Sequence, residues 1–117
     1  MAAQTVGWFE VMGKDRGTLQ RFYSGLFDWK IDDDPQMKYG MVQTENGVPG
    51  GIGESPDGGP GHVTFYVNVD DVGAAAQKAE DLGGKTVMPA TDMPQVTIAL
   101  VADPEGHVVG LMKMRQA

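Results

Sequence analysis

The chain repeats one order of secondary-structure signals, and this repeat limits its fold more than any other feature. The β-rich stretch 5–12 (TVGWFEVM) is matched by 62–69 (HVTFYVNV), and each is followed by an aspartate that can begin a helix. Asp15 lies opposite Asp71, a shift of 56 residues, and Leu26 lies opposite Leu82 at the same shift. A repeat of this length indicates a duplicated structural unit.

Each repeat predicts one helix between a first strand and three further strands. In the first repeat, apolar residues at helical spacing form a continuous stripe: Leu19, Phe22, Tyr23, Leu26 and Phe27. In the second repeat the stripe is smaller: Val72, Ala75, Ala76, Ala79 and Leu82. Either Asp70 or Asp71 can cap this second helix, and Gly83-Gly84 ends it. The element order β-α-β-β-β therefore occurs twice.

The repeat predicts an α+β fold. We expect two tandem βαβββ modules that form a curved, barrel-like, eight-stranded mixed sheet with both helices on the outside. Module one spans about 5–54 and module two about 62–115, joined by the glycine- and proline-rich linker 55–61. A chain of 117 residues is long enough for one such domain and too short for two.

Composition excludes several classes of partner and chemistry. A formal net charge of -7 disfavours nucleic acid and anionic membranes. The absence of cysteine excludes thiolate nucleophiles and disulfides. No apolar run is long enough to cross a bilayer, and the first residues lack the features of a signal peptide. We therefore expect a cytoplasmic protein.

Strand alternation predicts a surface on the side of the sheet that carries no helix. Phe9 and Val11 should back onto the first helix, and Val63, Phe65 and Val67 onto the second. The helix-free side is then lined by Trp8, Glu10, Met12, Ile52, Glu54, Thr64, Tyr66, Asn68, Val108 and Met112. Apolar and aromatic surface with a few polar groups is typical of a small-molecule pocket, so these residues, except Asn68, are the predicted ligand-binding set.

Three segments carry a family resemblance: GWFEVMGKDRGTLQRFYSGLFDWK, HVTFYVNVDDVGAAAQKAEDLGGKTVMPATDMP and ADPEGHVVGLMK. They resemble the vicinal oxygen chelate superfamily, which includes glyoxalase I, bleomycin-resistance proteins and extradiol dioxygenases. The chain is most similar to small bacterial glyoxalase-like proteins. The resemblance implies a pocket on the concave face of the sheet.

The resemblance also implies where a metal would bind. The enzymes of this superfamily hold a divalent metal with four side chains, at places that correspond here to Trp8, Glu54, Thr64 and Gly110. Only Glu54 could bind a metal as the family's ligands do, because indole offers an N–H donor, threonine a weakly basic hydroxyl and glycine nothing. We therefore expect no metal cofactor. Gly110 is interpreted as an empty ligand position that leaves room for a bound molecule.

Alternatives remain open at this stage. A slip in strand register would bring Glu10, Glu54 and His62 together as metal ligands of a lyase, isomerase or oxygenase. The acidic run Asp32–Asp34 is interpreted as a solvated loop, with a cation site as the weaker alternative. Trp8 and Tyr66 could equally be core residues, and His107 is expected at the surface.

The favoured function is binding of a small molecule without the family's metal. The sequence names no catalytic residue and no ligand, and it leaves enzymatic activity open. Exposed sheet edges and an apolar open face predict a homodimer. A structural dimer without a ligand is the remaining alternative.

Overall fold

The computed structural model describes residues 3–115. Ten elements follow one another along the chain: β1 (Val6–Gly13), α1 (Arg16–Phe27), β2 (Lys30–Asp34), β3 (Tyr39–Gln43), β4 (Gly50–Glu54), β5 (His62–Asn68), α2 (Val72–Asp81), β6 (Lys85–Asp92), β7 (Val96–Ala102) and β8 (Val108–Met114). The duplicated β-α-β-β-β order is confirmed. None of the described helices is long and apolar enough to span a membrane.

The eight strands form a mixed sheet in the order β2-β3-β4-β1-β5-β8-β7-β6. The first and last strands of each repeat pair in parallel, β1 with β4 and β5 with β8. The β2–β3, β3–β4, β6–β7 and β7–β8 pairs are antiparallel. The predicted α+β class, with eight strands in a mixed sheet and two helices, is therefore confirmed.

The chain forms two compact units whose boundaries lie inside β1 and β5. The first unit, called the N-terminal unit below, comprises residues 8–64. The second, called the C-terminal unit, combines residues 3–7 with 65–115 among those described. Each unit has its own helix and its own hydrophobic core.

The core of the N-terminal unit consists of Val11, Val42 and Ile52, with partly buried aromatic and aliphatic side chains around it. From the apolar stripe of α1, Leu19 and Tyr23 pack against this core. Phe22 and Leu26 are each 59% exposed, so the stripe predicted to face the core is only partly buried. A helix lying on one sheet buries a narrow row of side chains four residues apart, and the flanking residues remain accessible.

The core of the C-terminal unit lies between α2 and strands β6, β7 and β8. Its buried residues are Val69, Val72, Ala76, Ala99, Val101 and Leu111. Val67 packs against it as predicted, whereas Phe65 and Val63 are 43% and 75% exposed. Of the three residues expected to back onto α2, packing against this core is confirmed for Val67.

Candidate functional site

The first strand directs three of the predicted site residues away from α1. Phe9 and Val11 belong to the core beneath α1, so alternation places Trp8, Glu10 and Met12 on the opposite side of the strand. All three side chains are half-buried. The prediction for this strand holds, and its helix-free side is the starting point of the candidate site.

The placement of Ile52 and Glu54 on that helix-free side is wrong. In the parallel pairing of β1 with β4, Val11 stands opposite Ile52, and paired residues share a face. Ile52 is fully buried in the core beneath α1. Glu54, two residues further on, lies on the same side. The glycines at 51 and 53 are the β4 positions that share a face with Glu10 and Met12.

A change in the repeat spacing explains this error. Val11 and Val67 are equivalent at a shift of 56 residues, but their partners Ile52 and Leu111 are 59 apart. The second repeat therefore has three additional residues between its first and last strands. Because successive strand residues point to opposite faces, an odd offset exchanges the two faces of the last strand.

Glu54 is part of an ion cluster on the α1 side. Arg16 Nη1 lies 3.4 Å from Glu54 Oε1, and Lys38 Nζ lies 3.9 Å from Oε2. Arg16 also forms a two-pronged contact with Asp33, at 2.9 Å and 3.1 Å. Hydrogen bonds from Arg16 and then Gln20 hold the pKa of Asp33 below its usual value. This cluster joins α1 to β2 and β4, which is a structural role.

The acidic run Asp32–Asp34 therefore does not form the predicted loop. It belongs to strand β2, with Asp33 turned toward α1 and its neighbours exposed. Among residues 3–115, no three histidine or acidic side chains are grouped so that they could hold a metal ion. The alternative of a cation site at this run has no support in the geometry.

A chain of hydrogen bonds joins four side chains on the helix-free side of the N-terminal unit. Trp8 Nε1 donates to Tyr39 Oη at 2.9 Å, and Tyr39 Oη donates to Glu10 Oε2 at 2.9 Å. His62 Nε2 lies 2.9 Å from the other carboxylate oxygen, Oε1. Trp8, Glu10, Tyr39 and His62 are called the Glu10 cluster below. An ionised Glu10 only accepts, so His62 carries its hydrogen on Nε2.

Tyr39 reaches Glu10 because the strand between them has no side chains on this face. Tyr39 is on β3 and Glu10 on β1, with β4 between them. A Cβ added to Gly51 would overlap the Tyr39 ring, and one added to Gly53 would press on it. The ring therefore lies over both glycines. Tyr39 is not among the site residues predicted from the sequence; the signal that could have found it is the glycine alternation of GGIGE.

The predicted residues of the C-terminal unit form a more buried, largely apolar surface. Tyr66 and Met112 are 6% and 7% exposed, and Val108 is half-buried. Thr64 is also buried, but it belongs to the N-terminal unit. Asn68 donates a hydrogen bond from Nδ2 to Thr5 Oγ1 at 3.1 Å. His107 is at the surface as expected, 3.1 Å from Asp103.

Gly110 is not an empty place for a ligand. Tyr66 pairs with Gly110, and a Cβ at this position would overlap the tyrosine ring. The space beside Gly110 is therefore filled by Tyr66 itself. The interpretation of this glycine as room for a bound molecule is wrong.

The residues predicted to stand at the family's metal positions do not fit a metal. Trp8 uses its N–H toward Tyr39, Glu54 is paired with Arg16 on the α1 side, and Gly110 has no side chain. The fourth position, Thr64, offers one weakly basic hydroxyl. The triad of Glu10, Glu54 and His62 also fails, since Glu54 lies on the other side of the sheet from Glu10.

Two βαβββ repeats in one mixed eight-stranded sheet are the fold of the vicinal oxygen chelate class. The model of the glyoxalase-like domain family matches residues 9–112. The chain belongs to this glyoxalase-like family.

The similar proteins agree with that assignment. The protein named "Putative glyoxylase CFP32", from Mycobacterium tuberculosis and Mycobacterium bovis, is 31% identical over an alignment of 116 residues that covers 92% of this chain. The chain spans only 44% of the length of CFP32.

A glyoxalase/bleomycin resistance protein/dioxygenase superfamily member from Vibrio splendidus has a TM-score of 0.68 at 16% identity, covering 95% of this chain and 99% of that one. Methylmalonyl-CoA epimerase from Mycobacterium tuberculosis has a TM-score of 0.69 at 11% identity, covering 99% and 93%. These two structures share the fold.

Proposed function

We propose that this chain binds a small organic molecule on the helix-free side of its N-terminal unit, at the Glu10 cluster. The observation that carries the proposal is the chain of hydrogen bonds from Trp8 through Tyr39 to Glu10, with His62 on the second carboxylate oxygen. The side chains of Glu10 and His62 are 13% and 33% exposed, so the cluster is shielded but reachable from solvent.

A purely structural role explains this arrangement less well. Taking a carboxylate out of water costs free energy, and apolar side chains of similar volume usually stabilise a fold at least as well. The core of this unit lies on the other side of the sheet and is complete without the cluster. Networks of polar side chains held in fixed orientation beside aromatic surface are typical of ligand sites.

We propose that the protein works without the family's metal. Glu10 and His62 are close together, but the third residue of the metal-dependent alternative, Glu54, is bound to Arg16 on the α1 side. We expect elemental analysis of the purified protein to find no stoichiometric zinc, nickel, iron or manganese. One equivalent of metal retained through gel filtration and lost in Glu10→Gln would contradict this proposal.

The binding proposal can be tested with a panel of neutral, anionic and cationic aromatic compounds. Binding is followed by NMR at the indole N–H of Trp8, which is part of the cluster, and of Trp29, which packs in the core against Phe9. We expect at least one compound to shift the Trp8 signal saturably while Trp29 stays in place. Glu10→Gln should abolish or weaken that shift, whereas Glu54→Gln, a carboxylate on the opposite side, should not. A panel that leaves Trp8 unmoved, or moves both indoles alike, contradicts the proposal.

We further propose that the protein is a homodimer. Phe22, Leu26 and Phe27 leave apolar surface exposed on α1. The edge strands of the sheet are β2 and β6. Because β2 is short and acidic and β6 contains Pro89 and register shifts, pairing of sheet edges between two chains is disfavoured. We therefore expect a dimer formed through faces. Light scattering that gives a monomer mass independent of concentration would overturn it.

The dimer proposal leaves open whether one ligand site draws on both chains. If Trp8→Ala and Tyr66→Ala each lose binding, the two variants are mixed and reannealed. Partial recovery of binding would indicate a site shared between chains, and no recovery a site within one chain.

We also propose a cytoplasmic location and no binding to nucleic acid or membranes, consistent with the acidic composition and the absence of cysteine.

A further inference from the structure

We propose that the Glu10 cluster selects ligands that carry a cationic nitrogen, such as an aromatic or benzylic amine. This inference rests on the proposed function and adds the chemical class of the ligand. It follows from the direction of the hydrogen bonds and from the charges that the strand register brings to the same face.

The hydrogen bonds from Trp8, Tyr39 and His62 run toward the carboxylate of Glu10. The indole N–H of Trp8 is directed at Tyr39, and the phenol O–H of Tyr39 is directed at Glu10. The Nε2 hydrogen of His62 is directed at Glu10 as well. These donors are therefore turned inward, toward the carboxylate of Glu10. An incoming carboxylate or phosphate would meet like charge, whereas an ammonium group would meet opposite charge.

The neighbouring strands add negative charge to the same face. Asp34 stands opposite Tyr39 in the β2–β3 pair, and Asp32 stands opposite Met41. Both aspartates therefore share a face with Tyr39, and both are exposed. Alternation along β1–β4 places one lysine on this face, Lys30 at the start of β2. The carboxylates of Glu10, Asp32 and Asp34 therefore outnumber the lysine on this face.

The cations of the N-terminal unit that lie near acidic groups are on the other side of the sheet. Arg16 is bound to Asp33 and Glu54, and Lys38 lies 3.9 Å from Glu54. Arg16 and Lys38 thus lie beside carboxylates on the α1 side. Carboxylates dominate the helix-free side, and the ion cluster with Arg16 occupies the α1 side.

The aromatic members of the cluster suit an organic cation better than a hydrated inorganic one. Tyr39 lies over Gly51 and Gly53 and brings its ring close to Glu10. Trp8, the ring system that attracts cations most strongly, is hydrogen-bonded to the same phenol. A carboxylate beside two aromatic rings offers an ammonium group both an ion pair and cation–π attraction. The attached apolar part of such a ligand would find the half-buried thioether of Met12 on the same strand face.

The test compares three probes with one ring and different charge: benzylamine, benzyl alcohol and benzoate. Each is titrated into the full chain near neutral pH, with the indole signals of Trp8 and Trp29 as reporter and internal control. We expect benzylamine to shift Trp8 saturably and to bind about tenfold or more tightly than benzoate, as charge-assisted hydrogen bonds allow. Benzyl alcohol should lie between the other two probes or fail to bind.

Three variants assign the selectivity to the carboxylates of this face. Glu10→Gln should weaken benzylamine binding about tenfold or more, since it removes the charge at the centre of the cluster. Asp32→Asn, an exposed change outside the core, should weaken it less than twofold, because Asp32 lies three strands from Glu10 and its charge is screened by solvent. Glu54→Gln on the α1 side is the matched control and should leave the affinity unchanged.

The outcomes separate this inference from the function on which it rests. Equal or tighter binding of benzoate at Trp8, or unchanged benzylamine binding in both Glu10→Gln and Asp32→Asn, would overturn the cation selectivity and leave a small-molecule site in place. If neither these probes nor the wider panel shifts Trp8, the proposed function fails as well.

Discussion

Three aromatic side chains in this protein lie over glycines of a neighbouring strand. Phe9 covers Gly50, Tyr39 covers Gly51 and Gly53, and Tyr66 covers Gly110. In each case a Cβ on the glycine would overlap or press on the ring. The bare strand positions are therefore filled by rings from adjacent strands, and this is how Tyr39 reaches the carboxylate of Glu10.

Gly51→Ala tests the role of these glycines. The added methyl group would occupy the place of the Tyr39 ring, so the ring must move and its hydrogen bond to Glu10 must break. We expect the free energy of unfolding to fall by about 1–3 kcal/mol, the usual cost of overpacking. Chemical denaturation measures this change, and the Trp8 indole signal should shift at the same time.

Gly25→Ala is the matched control for this substitution. Gly25 lies in α1 with no atom close to its missing Cβ, so alanine should raise the unfolding free energy by about 0.5–1 kcal/mol. If Gly51→Ala proved as stable as the wild type, the assigned position of the Tyr39 ring would be wrong.

At the scale of the element, both helices begin at an aspartate. Asp15 Oδ1 accepts from Thr18 N at 3.0 Å, and Asp71 Oδ1 accepts from Ala74 N at the same distance. The sequence left Asp70 and Asp71 as alternative caps for α2, and the structure selects Asp71. The two caps are the points at which the repeat keeps its shift of 56 residues most clearly.

Asp71→Ala should destabilise α2 through loss of this cap. The first-turn N–H of Ala74 would lose its side-chain acceptor, and we expect a decrease of about 1 kcal/mol in the free energy of unfolding. The adjacent substitution Asp70→Ala changes the same charge without removing the cap and should have a much smaller effect. Equal losses from both variants, measured by denaturant unfolding, would mean that charge rather than capping is responsible.

At the scale of the whole molecule, three aspartates link stability to pH. Hydrogen bonds hold the pKa of three aspartates below the usual value of 3.8. The leading donor is Arg16 for Asp33, Thr18 for Asp15 and His107 for Asp103. The unfolded chain therefore takes up protons at these sites before the folded chain does. Their stabilisation is complete above about pH 4 and is lost as the pH falls through the lowered folded-state values.

The denaturant midpoint should therefore decrease from about pH 4 downward. Asp33→Asn removes the ion pair with Arg16, so this variant should be less stable than the wild type at neutral pH. The difference should shrink in acid, where the wild-type carboxyl is also protonated. Asp32→Asn, its exposed neighbour on the same strand, is the control. A stability difference for Asp33→Asn that does not change with pH would exclude the linkage.

The sequence by itself determined the element order, the two capped helices and the family. These depend on local patterns, namely helical spacing, strand alternation and capping residues, which are written in consecutive residues. It also placed Trp8, Glu10 and Met12 correctly, because they share a strand with the core residues Phe9 and Val11. His62 was retained only as an alternative, since no local pattern shows which residue it meets.

Only the tertiary structure decided which side chains meet across strands. The three-residue difference between the repeats moved Ile52 and Glu54 to the α1 side, and the rings of Tyr39 and Tyr66 filled the space beside their glycines. Strand register depends on hydrogen bonding between segments about 40 residues apart, and a shift by an odd number of residues reverses a face. The same register brought Glu10, Tyr39 and His62 together from three different strands.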